Sequence, residues 1–456
     1  MDFRFCLVLL GIGISGAVLG TAGVMGQSPF RSGDSIERRR RAWCYTDQAL
    51  KTWKRKEGRV RERTPAFSLW DQLFFNPVYL RHPAELLARK IGTEVTIGPC
   101  AQKPLKLQIP VLLGGMGYQT ALRAEAKQAL ALGATMAGTA TNTGNGPLLT
   151  TERSAAEKLI VQFARGRWDK DLAALSAADA VEIQLGHGPC GSMTVNIPPP
   201  RLARSKKLRA LLGAEPGEPA VIPVKLLSIK DRADLAGLIS GLRQKSGGVP
   251  VGVKIGASQR LEEELEIITG AQPDYIAIYG MEAGEGDPTA PTAQIGIPTL
   301  HAVNRAARYL RQQGLAGRIS LLAGGGLRTP ADFLKALALG ADAVFIGTAA
   351  LNTLCAGEDG RRFLRFSLRW IKDKLGRGLD IPSAAERVRD YLQKASREMQ
   401  EIALCLGRAH LREVGKEDLS TGSKEIASCL GISWCGAPDL SGQRPLTCPS
   451  TKQNER

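Results

Sequence analysis

Residues 319–349, ISLLAGGGLRTPADFLKALALGADAVFIGTA, decide the fold. The apolar run Ile319–Ala323 reads as a buried strand, and three consecutive glycines, Gly324, Gly325 and Gly326, end it. A segment of helical period follows, with Pro330 in its first turn, where the missing N–H costs nothing. A second strand, Ala343–Gly347, is then followed by Thr348. Glycines after two successive strands leave backbone N–H groups free to face an anion near a helix amino terminus. Gly324, Gly325, Gly326, Gly347 and Thr348 are therefore expected to hold a ligand phosphate.

The same alternation extends upstream. Further strands are predicted at Ile109–Leu113, Thr135–Thr139, Ala180–Leu185, Val221–Leu227, Val249–Ile255 and Tyr275–Tyr279, with helices such as Thr120–Leu132, Lys230–Lys245, Gln259–Thr269, Thr299–Gln313 and Pro330–Leu339 between strands. Eight βα units predict an α/β fold, a (β/α)8 TIM barrel over residues 105–380, with a helical extension and tail over 381–456. In such barrels the reacting groups collect on loops after the strands. Glycine follows nearly every strand, Gly115 and Gly117 among them, as close backbone approach by a ligand requires. Lys254 closes the fifth strand, where a buried ammonium needs a partner, and is expected to serve the ligand. Thr139 and Gln184 are read as strand-end side chains that orient a ring. His187, flanked by glycines, is a candidate donor set against a solvated loop histidine. Glu282 and Glu285 are candidate general acids set against solvated loop carboxylates.

The chain has 456 residues, 61 Lys+Arg against 44 Asp+Glu, and 51 glycines, a composition that suits a large globular body. Aromatic residues make up only 5%, which argues against a stacking surface for nucleic acid. Nine scattered cysteines without a C-x-x-C pair argue for reduced thiols rather than a disulfide framework, and no metal site is expected. Residues 6–26, CLVLLGIGISGAVLGTAGVMG, are long and apolar enough to cross a bilayer. A cleaved signal peptide is the competing reading. Residues 27–64 hold twelve Lys/Arg and five Asp/Glu, so a transmembrane helix within 1–30, a basic juxtamembrane segment over 31–104 and a cytoplasmic body on the cell membrane are predicted. Residues 359–374, DGRRFLRFSLRWIKDK, form a basic amphipathic pattern, expected by chain order to be the eighth barrel helix rather than a membrane-surface helix.

Beyond these readings, the run from Gly114 to Val414 resembles the FMN-binding domain of glutamate synthase large subunits, and in particular the stand-alone FMN-binding glutamate synthase family. The matching stretches include Gly115-Met116-Gly117-Tyr118, Ala137–Gly144, Asp179–Ile183, Val253-Lys254-Ile255-Gly256, Asp274–Ile278, Gly296–Leu300 and the Gly324–Leu351 phosphate end. The resemblance implies a barrel holding FMN, with Met116 among its contacts and Lys254 at the ring. It also implies hydride transfer between flavin and an amino or imino acid, as in converting 2-oxoglutarate to glutamate.

The chain departs from that family at several places. Residues 27–100 are too short and basic for a glutaminase domain, so ammonia and electrons are expected from separate partners. Only Cys355 stands where family members with an iron–sulfur cluster have three close cysteines, and Cys429 and Cys435 are read as ordinary thiols. Asn145 replaces a usual acid after the second strand, and an amide cannot take a proton as a carboxylate does. The loops 186–191 and 280–289 have also changed. A flavin-binding membrane module with reduced or no catalytic activity is therefore the alternative to an enzyme. Hydroxyacid oxidation would need a strand-end constellation that His187 and Arg328 do not make.

Overall fold

The computed structural model describes residues 68–80, 90–118, 121–163, 172–188, 195–197, 199–203, 206–222, 226, 228–283, 295–355 and 379–436. The expected anchor at 1–30, the basic residues to 67, Glu285 and the run 359–374 lie outside these. Among the described residues no helix is long and apolar enough to cross a membrane.

Eight parallel strands close into a barrel in chain order: β1 Val111–Leu113, β2 Ala140–Asn142, β3 Lys158–Phe163, β4 Ala180–Gln184, β5 Val251–Gly256, β6 Tyr275–Tyr279, β7 Ser320–Gly324 and β8 Ala343–Ile346. β8 pairs back onto β1, so the ring has no free edge. The period-two alternation of a strand sorts the side chains. Val181, Ile183, Val253, Ile276, Ile278 and Val344 join the layer under the helices, whereas Leu112, Ile160, Ala277, Leu322 and Phe345 fill the interior. The amino-terminal mouth is plugged by a hairpin, Val95–Ile97 with Leu105–Leu107, whose Ile97, Leu105 and Leu107 belong to the interior cluster. Gly98 N donates to Ser320 Oγ (3.1 Å) at the foot of β7, which pins the plug.

Among the described helices are α1 Ala124–Met136, α2 Thr150–Ala155, α3 Leu172–Ser176, α4 Arg232–Lys245, α5 Leu261–Gly270, α6 Thr299–Gln312, α7 Pro330–Ala338, α8 Thr348–Cys355 and α9 Ile381–Cys405. α7 starts as its sequence predicts. Pro330 occupies the first turn, and Thr329 Oγ1 accepts from Asp332 N (3.2 Å).

The expected count of eight strands is correct although two of its members are not. Thr135 and Met136 end α1, and β2 begins only at Ala140, so the strand predicted at 135–139 lies too early. Lys158–Phe163, read as no strand in the sequence, is β3. Of the run predicted at 221–227, the described Val221 and Ile222 pair antiparallel with Val195–Ile197, and β4 pairs directly with β5 in the ring. Pro223 in that run cannot donate to a ladder, which is the signal against a central strand.

α9 packs against α7, α8 and α1. Gly133 of α1 makes the fit close, because a Cβ there would lie 2.7 Å from Val388 Cβ. Arg387 of α9 donates to Thr353 O (3.3 Å) and Leu354 O (3.0 Å), satisfying carbonyls at the end of α8. Beyond α9, Leu419–Thr421 pairs antiparallel with Leu73–Phe75, which ties the start of the described chain to its end.

Candidate functional site

The carboxyl-terminal face of the barrel carries two differently built regions. The first is backbone. Gly325 (φ +101°) and Gly326 (φ +67°) turn the chain out of β7 in conformations that L side chains rarely adopt. After β8, a Cβ built on Gly347 would meet nothing within 4 Å, and Thr348 beyond it is exposed at the first turn of α8. An uncrowded glycine ahead of an eight-residue helix, with N–H groups that lack intrahelical acceptors, fits an anionic phosphate. Gly324 differs from its neighbours: it is the last residue of β7, and its missing Cβ makes room for the Tyr279 ring, 2.4 Å from where that atom would be.

The second region is a buried polar network built on inward positions of β2 to β6. Lys254 is fully buried, and its Nζ donates to Gln162 Oε1 (3.2 Å) and lies 3.7 Å from Glu182 Oε1. Asn142 Nδ2 donates to the same Glu182 oxygen (2.9 Å), while Asn142 Oδ1 accepts from Gly144 N (2.8 Å). Gln162 Nε2 donates to Asn145 Oδ1 (2.8 Å) and Gln184 Oε1 (3.3 Å). Burial pushes the Glu182 carboxyl above its ordinary pKa, against the opposing pull of Lys254 and the Asn142 amide. Above the ammonium, the Tyr279 ring centroid lies 4.4 Å from Lys254 Nζ, and the His187 ring lies 4.6 Å from that of Tyr279.

A second buried pair steadies the loops over this network. Lys127 Nζ on α1 contacts Glu152 Oε1 on α2 (2.9 Å) and donates to Met116 O (3.1 Å) and Thr143 O (2.8 Å). One ammonium thus joins the loops after β1 and β2. Those loops are already in contact: a Cβ on Gly115 would lie 2.8 Å from Asn142 Oδ1 and 2.9 Å from Gln162 Oε1.

Of the residues singled out in the sequence, Lys254, Gln184, His187, Gly115 and Met116 come together around this network, and Gly325, Gly326, Gly347 and Thr348 form the backbone region. Gly117 closes the turn into α1, its carbonyl accepting from Ala121 N (2.9 Å) and Leu122 N (3.0 Å). Thr139 is a correction. It precedes β2 instead of ending it, at the opposite mouth, and its hydroxyl donates to Val111 O (2.8 Å). Glu282 Oε2 accepts from Thr299 N (2.9 Å) and Thr299 Oγ1 (2.8 Å), and so caps α6, whose preceding Pro298 offers no side-chain acceptor. Arg328 is drawn aside to Asp332 (3.0 Å) and Asp71. Cys429 and Cys435 are both exposed. Among the described residues no three His, Cys, Asp or Glu side chains are grouped to hold a metal ion.

Asn142, Gln162, Glu182 and Tyr279 were missed in the sequence. Their signal is a polar residue at an inward-facing position of a buried strand, as in Ala180-Val181-Glu182-Ile183-Gln184, where small and polar residues alternate with branched ones.

Residues 85–408 match the model of the conserved region in glutamate synthase. The chain belongs to the glutamate synthase family. It is 29% identical over 421 residues to a glutamate synthase large subunit-like protein of Rhizobium meliloti, covering 84% of this chain and 90% of that one. An archaeal-type glutamate synthase [NADPH] of Thermotoga sp. is 32% identical over 333 residues, which take in 72% of this chain but 64% of the relative. Among solved structures, mandelate oxidase with 3,3-difluoro-2-hydroxy-3-phenylpropionic acid is similar in fold at a TM-score of 0.50 and 16% identity, over 78% of this chain and 88% of that one. Membership of the glutamate synthase family supports an oxidoreductase, with FMN as its cofactor.

Proposed function

We propose that the chain is an FMN-dependent oxidoreductase that moves hydride between flavin and an amino or imino acid of the 2-oxoglutarate/glutamate type. Bound in the barrel, FMN would supply the two-electron chemistry. The observation that carries this reading is the joint presence of an uncrowded Gly347 ahead of α8 and a buried cation, Lys254, inside the same barrel. Gly347, Thr348, Gly325 and Gly326 would bind the phosphate through backbone N–H groups. Lys254 keeps positive charge in the interior, and Gln162, Glu182 and the Tyr279 ring hold its ammonium in place. His187 is the candidate donor on the substrate side, and the aromatic ring beside it fixes its plane. Electrons and ammonia come from separate partners, and residues 6–26 anchor the body to the cytoplasmic face of the cell membrane.

A second reading has its own support. Glu282 is committed to Thr299, and Asn145, where the resembled family commonly has an acid, accepts through Oδ1 from Gln162 Nε2. Both reduce the number of groups able to carry a proton, which suits a flavin-binding module with little or no turnover. Purified protein carrying FMN, assayed with 2-oxoglutarate, ammonium and a chemical reductant, separates the two. Glutamate formation supports the enzyme, and a reducible but inert flavoprotein supports the module. A protein that neither retains nor takes up FMN contradicts both.

A further inference from the structure

We propose that the Tyr279 hydroxyl is a hydrogen-bond donor to the polyol and phosphate portion of bound FMN, a contact that rests on the FMN reading above. Tyr279 ends β6 and is only 5% exposed. Its ring is fixed on several sides. Gly324 of β7 leaves the space it fills, Phe345 of β8 stacks beside it at 6.1 Å between centroids, and His187 and Lys254 Nζ complete the surround at 4.6 and 4.4 Å. With the ring so held, the hydroxyl has little freedom to choose its position.

That position is on the phosphate side of the face. A Cβ on Gly114, just after β1, would lie 3.7 Å from Tyr279 Oη and 3.3 Å from the carbonyl oxygen of Ile346, the residue before Gly347. The Ile346 carbonyl is already used, since it accepts from Gly114 N (2.9 Å). Tyr279 Oη is buried and has no hydrogen-bond partner among the described residues. A phenylalanine would fill the same space without an unsatisfied buried hydroxyl, so the oxygen is useful only if something else receives its proton. Burial, followed by the nearby Glu182 charge, holds the phenol well above its ordinary pKa, so it stays a donor near neutral pH. Acceptors beside Gly347 are what a ligand seated there by its phosphate would bring: phosphate oxygens and the hydroxyl groups of the attached chain.

The test is Tyr279→Phe, which keeps the ring and its packing. FMN and riboflavin are titrated into apo-protein by flavin fluorescence, and the melting temperature of the apo-protein is recorded. FMN should bind about tenfold more weakly, near 1.4 kcal/mol, with the apo melting temperature unchanged or raised. Weakening of FMN alone would assign the contact to the phosphate, and equal weakening of riboflavin would assign it to the polyol. A dissociation constant within twofold of wild type overturns the proposal, and a lowered apo melting temperature alongside it shows that the hydroxyl serves the chain's own fold. Wild-type protein that binds no FMN overturns the parent reading and this contact together.

Discussion

The two regions of the carboxyl-terminal face use opposite means. Around β7 and β8 the site is backbone: glycines, two of them at positive φ, and the start of a helix. Around β2 to β5 it is side chain, a chain of amides linking one carboxylate and one ammonium, each fully buried. The first depends on the shape and openness of the chain and is insensitive to any single functional group. The second depends on every member, because an unpaired charge in a low-dielectric interior is costly. Substitutions in the first region should therefore change ligand binding and spare the fold, whereas those in the second should cost stability as well.

The largest effect is expected at Lys254. Lys254→Ala would leave Glu182 buried without its cation and should lower stability by about 3–5 kcal/mol, measured by urea unfolding. Replacing both members, Lys254→Met with Glu182→Leu, should recover most of that loss, since apolar pairs of similar volume are tolerated where buried ion pairs stand. Equal destabilisation in the single and double variants would break the view that the pair matters through its charges.

Gly347→Asp should have the opposite signature. The residue precedes the first turn of α8, and Leu351 N donates to its carbonyl (3.0 Å), so a carboxylate there would act as a helix cap in uncrowded space. The apo-protein should melt no lower than wild type, while FMN affinity falls by at least about 100-fold through like-charge repulsion, roughly 2.7 kcal/mol. A variant that binds FMN normally would move the phosphate elsewhere.

A smaller, pH-dependent effect belongs to Glu182. Its pKa is raised on folding, so its contribution to stability is complete below the ordinary value of 4.5 and is lost as pH rises through the higher folded value. Wild-type stability should decline over that interval, and Glu182→Gln should flatten this part of the profile. Unfolding monitored from pH 4 to 8 on both proteins checks it; parallel profiles would show that the carboxyl titrates normally.

The smallest effect is expected from Thr139→Val, about 1 kcal/mol of stability for the lost bond to Val111 O, with FMN affinity unchanged because that bond lies at the plugged mouth.

The same contrast explains what could be read from the sequence. The span from Ser320 to Ile346 is legible almost residue by residue, because glycine and proline mark its boundaries through local backbone preferences. Lys254 was also legible, as a cation closing an apolar strand. Its partners were not. Asn142 and Gln162 sit on β2 and β3, one placed too early in the sequence and the other not seen, and an error in strand position moves every side chain to another face or another end. Thr139 was misplaced for the same reason. Glu282 illustrates a different limit: whether a loop carboxylate faces substrate or caps a helix depends on a partner, Thr299, seventeen residues away. α9, beyond the span that chain order assigns to the barrel, packs on α1, α7 and α8, which only tertiary packing reveals.

The central claim, that this barrel binds FMN by its phosphate at the β7–β8 end, is tested most directly by titrating the apo-protein with FMN and with riboflavin under identical conditions. One FMN should bind per chain, at least about 100-fold more tightly than riboflavin, which lacks the phosphate. Equal affinity for the two flavins, or no binding of either, would contradict it.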